Sequence, residues 1–406
     1  MRNVFVSVVV ALALCALPTT AAAAPIPIPE EDPFFAAPAN LDELEPGAII
    51  RSRAIQPTLF AIPLPAKGWQ LLYRTSDRTG RATVTGTTLL VPTLTRLSTG
   101  PIPLVSYQTA EDGVSTRCAP SYALRAGLLG GVTNSTGEIP LLSSMLLRGW
   151  AVAVPDYEGM RSEFLIADVE AKGVLDGLRA VRNFTTAGLS TSPIGLWGYS
   201  GGAFATANAA QLQESYAPDL PIKAVALGGL VGDIRATIDA FSGSFAGGAI
   251  PMGMHGFDRS YPDMRIRDRL NAYGQRLFDA TAADCINDAV ARAPFLRVEQ
   301  IEAEPRTLDQ PDVATMLREN SPVGRSGTPL APVYEYHALL DELAPIGPAR
   351  AVLRNYCDAG VPVEHRTNLI GEHLTEVGAG APEAMGFLHR QFVGKPPVDT
   401  CGSIPQ

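Results

Sequence analysis

The segment Gly198-Tyr199-Ser200-Gly201-Gly202 fits the pattern G-x-S-x-G. A serine hydroxyl is a weak nucleophile unless a base stands beside it. This pattern meets one requirement of that chemistry, a sharp strand-to-helix turn that lifts the hydroxyl clear of the chain. The serine backbone is strained in such a turn, so glycines must flank it. The surroundings agree. Ile194-Gly195-Leu196-Trp197 reads as a buried strand entering the turn, and the small-residue stretch from Gly201 to Ala217 reads as the helix leaving it. The N–H of Gly201 would then sit at a helix N-terminus, aimed at a developing oxyanion.

A base and an acid should follow in the order serine, acid, histidine. Five histidines are available. His255 lies in a stretch that lacks strands. His337 stands within an apolar strand, His365 within an alternating one, and His389 on the amphipathic helix Pro382 to Phe392. His373 stands in Gly371-Glu372-His373-Leu374-Thr375, between the last strand and the last helix. Loops at the C-terminal ends of parallel strands gather in one crevice, so His373 is the candidate base. The preceding strand, Val333 to Leu340, runs into Asp341-Glu342. Asp341 is the first carboxylate beyond it and the candidate acid, with Glu342 the second choice. A second oxyanion donor should come from the loop Ser106 to Gly113, whose composition does not single one out.

These positions need a sheet to hold them. Trp69 to Arg74 and Ala82 to Val91 flank Asp77-Arg78-Thr79-Gly80 and read as a hairpin. Strands then follow at Ile102–Tyr107, Gly149–Pro155, Ile194–Gly198, Ile222–Leu227, Pro332–Leu340 and Val361–Asn368, with helices such as Phe164–Phe184 between them. That alternation predicts an α/β fold with a mostly parallel sheet covered by helices on both faces. It breaks at 235–325, where segments such as Asp263–Leu277 and Ala282–Ala293 read as helices. The expectation is one core, 48–234 and 326–401, carrying a helical cap inserted at 235–325. The Pro/Ala-rich residues 24–47 are expected to form an extended, mobile leader.

Arg2, an apolar run from Val4 to Leu17 and the small residues Ala21 to Ala24 have the order of an export signal, with 1–23 removed. No other stretch reaches the 18 apolar residues of a membrane span, so no stable membrane anchor is expected. Removing the signal discards Cys15. Cys118, Cys285, Cys357 and Cys401 remain, an even number that favours two disulfides in an exported chain and leaves three pairings open. No CxxC or Cys/His cluster suggests a metal, and no cofactor motif is present. The net charge of −9 argues against nucleic acid and against an anionic membrane. Asn134-Ser135-Thr136 and Asn183-Phe184-Thr185 fit the glycosylation sequon, a triplet too common to carry an assignment.

With these residues in view, the chain resembles the secretory lipase family of yeast lipase A-like enzymes, within the α/β-hydrolase superfamily. The likeness runs from about Leu44 to Cys401. Its markers are Tyr107 to Asp112, Cys118-Ala119-Pro120-Ser121, Pro155-Asp156-Tyr157-Glu158-Gly159, Gly198 to Gly202, Asp341-Glu342 and Glu372-His373-Leu374-Thr375. The resemblance implies a triad of Ser200, Asp341 and His373 and an oxyanion hole at Asp112 and Gly201. It also implies disulfides Cys118–Cys285 and Cys357–Cys401 and a helical cap over the site. It departs from the family at the end. The sequence stops at Gln406, five residues past Cys401, where the yeast enzyme continues into a flap over its site, so ester hydrolysis without that flap is expected. The expected function is an exported serine lipase or carboxylesterase acting on acylglycerols or other lipid esters, with transient contact to a lipid interface. The alternative is an exported peptidase or acyltransferase on the same fold.

Overall fold

The computed structural model describes residues 26–59, 62–93, 100–127, 131 and 133–405. The export signal proposed for 1–23 lies outside them. Nine strands form one sheet: β1 Ile49–Ile55, β2 Ala66–Ser76, β3 Ala82–Pro92, β4 Leu104–Gln108, β5 Ala151–Pro155, β6 Ile194–Tyr199, β7 Ile222–Gly228, β8 Val333–Ala338 and β9 Val363–Asn368. Their order across the sheet is β1-β2-β3-β5-β4-β6-β7-β8-β9. The first three pair antiparallel, and β3 also pairs antiparallel with β5. From β5 to the β9 edge every pairing is parallel.

The strands are apolar on both faces because helices cover both. Along β6, Ile194 and Leu196 face one cluster while Trp197 and Tyr199 face another, which is the period-2 alternation of a strand. In chain order, the principal helices of the core are α1 Ile139–Leu147, α2 Ala167–Asn183 and α3 Gly201–Tyr216. Leu175, Leu178 and Ala205 from α2 and α3 pack on Leu196 and Val225, whereas Leu142 and Met145 from α1 pack on Val105 and Trp197. This is the α/β-hydrolase arrangement.

Between β7 and β8 the chain is helical. It forms α4 Ile234–Phe241, α5 Ala249–Ser260, α6 Ala272–Ala280, α7 Ile286–Arg292 and α8 Pro311–Asn320. The segment Asp263–Leu277 is not one helix. Pro262–Met264 and Ile266–Arg269 are short 3₁₀ turns split by Arg265 at φ +49°. Leu270 then bridges Glu302, and α6 begins only after Asn271, whose side chain accepts from the N–H groups of Tyr273 and Gly274. The second predicted helix also starts late, at Ile286 after Cys285. The core closes with α9 Ile346–Asp358, α10 His373–Ala379 and α11 Ala381–Phe392.

The leader is not extended. Pro29–Glu31, Pro33–Phe35 and Leu41–Glu43 each form a 3₁₀ turn. Phe35 is buried with Leu72 and Val84, filling the space left by Gly86. Asp32, also buried, pairs with Arg53 at 2.7 Å and Arg125 at 2.8 Å. The Pro/Ala composition concealed these two anchors. Both disulfides implied by the resemblance, Cys118–Cys285 and Cys357–Cys401, are formed. The first ties the segment after β4 to the start of α7. No helix among the described residues is long and apolar enough to cross a membrane.

Candidate active site

Ser200 sits between β6 and α3 with φ +55° and ψ −121°, a conformation that L-residues avoid. The glycines around it are required by contact. A Cβ on Gly198 would collide with the Gly202 carbonyl, and one on Gly202 with the Gln108 carbonyl. Ser200 N–H donates to the Gly228 carbonyl at 2.9 Å, which fixes the turn on the neighbouring strand.

The structure brings the three residues picked by order and spacing into line. Ser200 Oγ lies 2.8 Å from His373 Nε2, and His373 Nδ1 lies 2.7 Å from Asp341 Oδ2. His373 opens α10. Glu372 caps that helix by accepting from the N–H groups of Leu374 and Thr375, and Tyr199 Oη donates to the His373 carbonyl at 2.6 Å. Asp341 Oδ1 accepts from the N–H groups of Leu343 and Ala344, so the carboxylate is fixed at both oxygens. Burial opposes its charge, but the His373 bond, the charges of His373 and His337 and the Ala344 N–H outweigh burial and hold its carboxyl below the usual range. Glu342 is not on the imidazole. It accepts from the His373 backbone N–H at 3.2 Å.

Asp112 follows β4 at φ +38°, and its carboxylate lies against Gly201, the first residue of α3. Ser200, Gly201, Asp112 and His373 line one cavity of about 500 Å³. Its remaining wall is mainly apolar, with Phe164, Ile238, Phe241, Leu308, Val313 and Met316, so most of it comes from the helices between β7 and β8. The Gly201 N–H is one of the unbonded donors at a helix start. Asp112 Oδ2 accepts from Asn134 Nδ2 at 3.3 Å, while Oδ1 is buried with no partner. Burial pushes this carboxyl up to about 6, against the pull of the His373 charge and the Asn134 bond. Asn134 stood out in the sequence only as a sequon, and nothing there pointed to the cavity wall. Nearby Glu138 is also buried and is pushed up to about 8 despite bonds from Tyr107 and Ala110.

A serine bonded to an imidazole that is itself bonded to a buried carboxylate is the constellation of acyl transfer. An apolar cavity beside it suits a hydrocarbon acyl chain. Comparison with known proteins places the chain among lipases. A family profile described as secretory lipase matches residues 128–400. A Mycobacterium tuberculosis protein named a probable inactive lipase is 36% identical, over 92% of this chain and 84% of its own length. Lipase A of Arthroderma benhamiae is 33% identical, over 91% of this chain and 81% of its own. The crystal structure of Candida antarctica lipase A superposes with a TM-score of 0.85 at 31% identity, covering 94% of this chain and 90% of that one.

Proposed function

The chain belongs to the secretory lipase family and is an ester hydrolase of the lipase type, and from that premise we propose that it is an exported serine hydrolase of lipid esters working through Ser200, His373 and Asp341. Ser200 Oγ attacks the acyl carbon while His373 Nε2 takes its proton. Asp341 holds the ring so that Nδ1 keeps its hydrogen and stabilises the imidazolium that forms. The oxyanion of the tetrahedral intermediate faces the backbone N–H groups of Gly201 and Asp112. His373 returns the proton to the leaving alcohol. Water, activated by the same base, then releases the fatty acid from the acyl-enzyme.

The observation that carries this reading is the continuous bond line from Ser200 through His373 to Asp341 at the wall of an apolar cavity. Export is supported by the order of residues 1–23, by the family and by two disulfides, which persist in oxidising compartments. The helices between β7 and β8 act as the cap that shapes the acyl pocket.

The surface by which the enzyme meets its substrate is a neutral ester-lipid interface. Leu340, Leu369 and Ile370 are 69%, 69% and 86% exposed on the loops after β8 and β9. The loops lie side by side, because Leu339 N–H donates to the Asn368 carbonyl. The patch continues to Leu374, which is exposed and also lines the cavity next to His373. Apart from the buried Asp341, the charged neighbours in these loops are Glu342 and Glu372, which disfavours an anionic membrane.

The test is Ser200→Ala against p-nitrophenyl esters of short to long acyl chain and against emulsified triacylglycerol. Activity should fall by about 10³-fold or more. A variant with the wild-type rate would exclude this serine. A wild-type protein inert to every ester and to a fluorophosphonate probe would exclude hydrolysis. Faster cleavage of aminoacyl amides than of esters would favour a peptidase.

A further inference from the structure

Behind the Asp341 carboxylate lies a second imidazole. Glu335 and His337 are two apart on β8 and share one face, and the register sets Glu335 beside His365 of β9. Glu335 and His337 are both completely buried. Glu335 Oε1 lies 2.8 Å from His337 Nδ1, and Oε2 lies 2.6 Å from His365 Nδ1. On its other side, His337 Nε2 lies 2.7 Å from the Ala344 carbonyl oxygen and 3.4 Å from Asp341 Oδ2.

A neutral imidazole has one donor nitrogen and one acceptor. Both nitrogens of His337 face oxygen acceptors. A carbonyl can only accept, so Nε2 carries a hydrogen. With Glu335 ionised, Nδ1 carries one too, and the ring is an imidazolium. Burial opposes the charge on Glu335, but the His337 charge and the bonds from His337 and His365 hold its carboxyl down to about 2. Burial also opposes the charge on His337, and Glu335 and Asp341 overcome it. The chain of bonds ends at Thr367, whose hydroxyl meets His365 Nε2 at 3.0 Å and receives Arg350 of α9 at 3.1 Å. Ala344 is gripped twice, with its N–H on Asp341 Oδ1 and its carbonyl on His337. Asp341 Oδ2 therefore stands between two rings, His373 in front and His337 behind.

We propose that His337, kept as an imidazolium by Glu335, is a positioning residue that acts on His373 through Asp341 and extends activity toward acid pH. The inference rests on the Ser200–His373–Asp341 reading. A positive charge behind Asp341 keeps that carboxylate ionised and opposes a second positive charge on His373. His337 lies between Glu335 and Asp341, so its charge outweighs that of the more distant Glu335. The other titratable groups facing this site are Glu376 of α10, which sits close enough for the His337 charge to act on it, and Tyr199 and Tyr336, whose hydroxyls burial keeps protonated.

Glu335→Gln tests this with little change of shape. The amide preserves bonds to both rings and lets His337 become neutral while still donating to Ala344. The readout is kcat/KM against pH on a soluble short-chain ester. The acid midpoint should rise by about half a pH unit or more, with KM unchanged and plateau kcat within a few-fold of wild type. A purely structural role would lower kcat or stability and leave the midpoint in place, and that result in a folded variant overturns the proposal. Should Glu335→Gln not fold, ¹⁵N NMR of wild-type His337 decides. Two protonated ring nitrogens at pH 7 support the proposal, and a neutral ring overturns it. Loss of activity in Ser200→Ala with an unmoved midpoint in Glu335→Gln would sink this inference and leave the triad reading intact.

Discussion

The carboxylate of Asp112 occupies the space that a side chain on Gly201 would need. The two residues come from different strand ends, and their backbone N–H groups are the donors proposed to hold the oxyanion. Gly201→Ala should therefore displace Asp112 and widen the gap between the two donors. Loss of one oxyanion donor costs about 10²–10³ in kcat. The expected outcome is a fall of that size with KM nearly unchanged, read on a soluble ester, and a melting temperature close to wild type. An active Gly201→Ala enzyme would remove this pair from the oxyanion hole.

Three buried carboxyls bear on how stability depends on pH. Burial raises Asp112 to about 6, Asp156 to about 7 and Glu138 to about 8. Each folded-state value lies above the unfolded one, so protonation is favoured in the folded protein. Their contribution is complete below the unfolded values near 4 and is lost as pH rises through the folded values. Melting temperature should fall steadily from pH 5 to pH 8. Glu138→Gln, which removes one ionisation and keeps an acceptor for Ala110, should flatten that slope above pH 6. A melting temperature that climbs over the same range would contradict the sign.

Ser200, Asp341 and His373 could be picked from the sequence because each follows the C-terminal end of a parallel strand, in a fixed order along the chain. The fold class was legible for the same reason, since apolar strands and helices alternate around those ends. Asp112 was not legible by composition. It owes its place to a positive φ and to the contact with Gly201, neither of which the loop residues announce. Asn134 was hidden the same way. The Glu335–His337–His365 group left a trace, a glutamate and a histidine spaced by two in a strand otherwise made of apolar and aromatic residues. The parallel register that sets His365 beside Glu335 exists only once the sheet forms.

The exposed tips of the β8 and β9 loops should separate lipid-bound from soluble substrate. Leu369→Asp/Ile370→Asp places two charges where the proposed interface lies, without touching the cavity wall. Hydrolysis of a dissolved short-chain ester should stay within about two-fold of wild type, because exposed substitutions away from packed contacts cost little. Binding to phosphatidylcholine vesicles and hydrolysis of emulsified triacylglycerol should both drop by about ten-fold, as burying apolar side chains in lipid is the attraction being removed. Equal losses on both substrates would reassign these residues to the site itself. Unchanged vesicle binding would remove the interface, and concentration-dependent dimers lost in the variant would make the patch a contact between copies.

The leader is anchored through Phe35 and Asp32. Phe35 is 4% exposed, and its ring fills the gap above Gly86 that a Cβ would close. Asp32 joins Arg53 of β1 to Arg125, which follows β4, so these 3₁₀ turns bind the antiparallel edge of the sheet to the parallel part. Burial opposes charge on Asp32, yet the Phe34 N–H and the two arginines hold its carboxyl below the usual range. Phe35→Ala should cost about 3 kcal/mol, the range for truncating a buried aromatic ring. Asp32→Asn should weaken both arginine contacts and remove stability that wild type keeps above the unfolded carboxyl value. Denaturant unfolding at pH 6 measures both. A mobile leader would leave Phe35→Ala within about 0.5 kcal/mol of wild type, and kcat on soluble esters should stay unchanged in either variant, because neither side chain reaches the cavity.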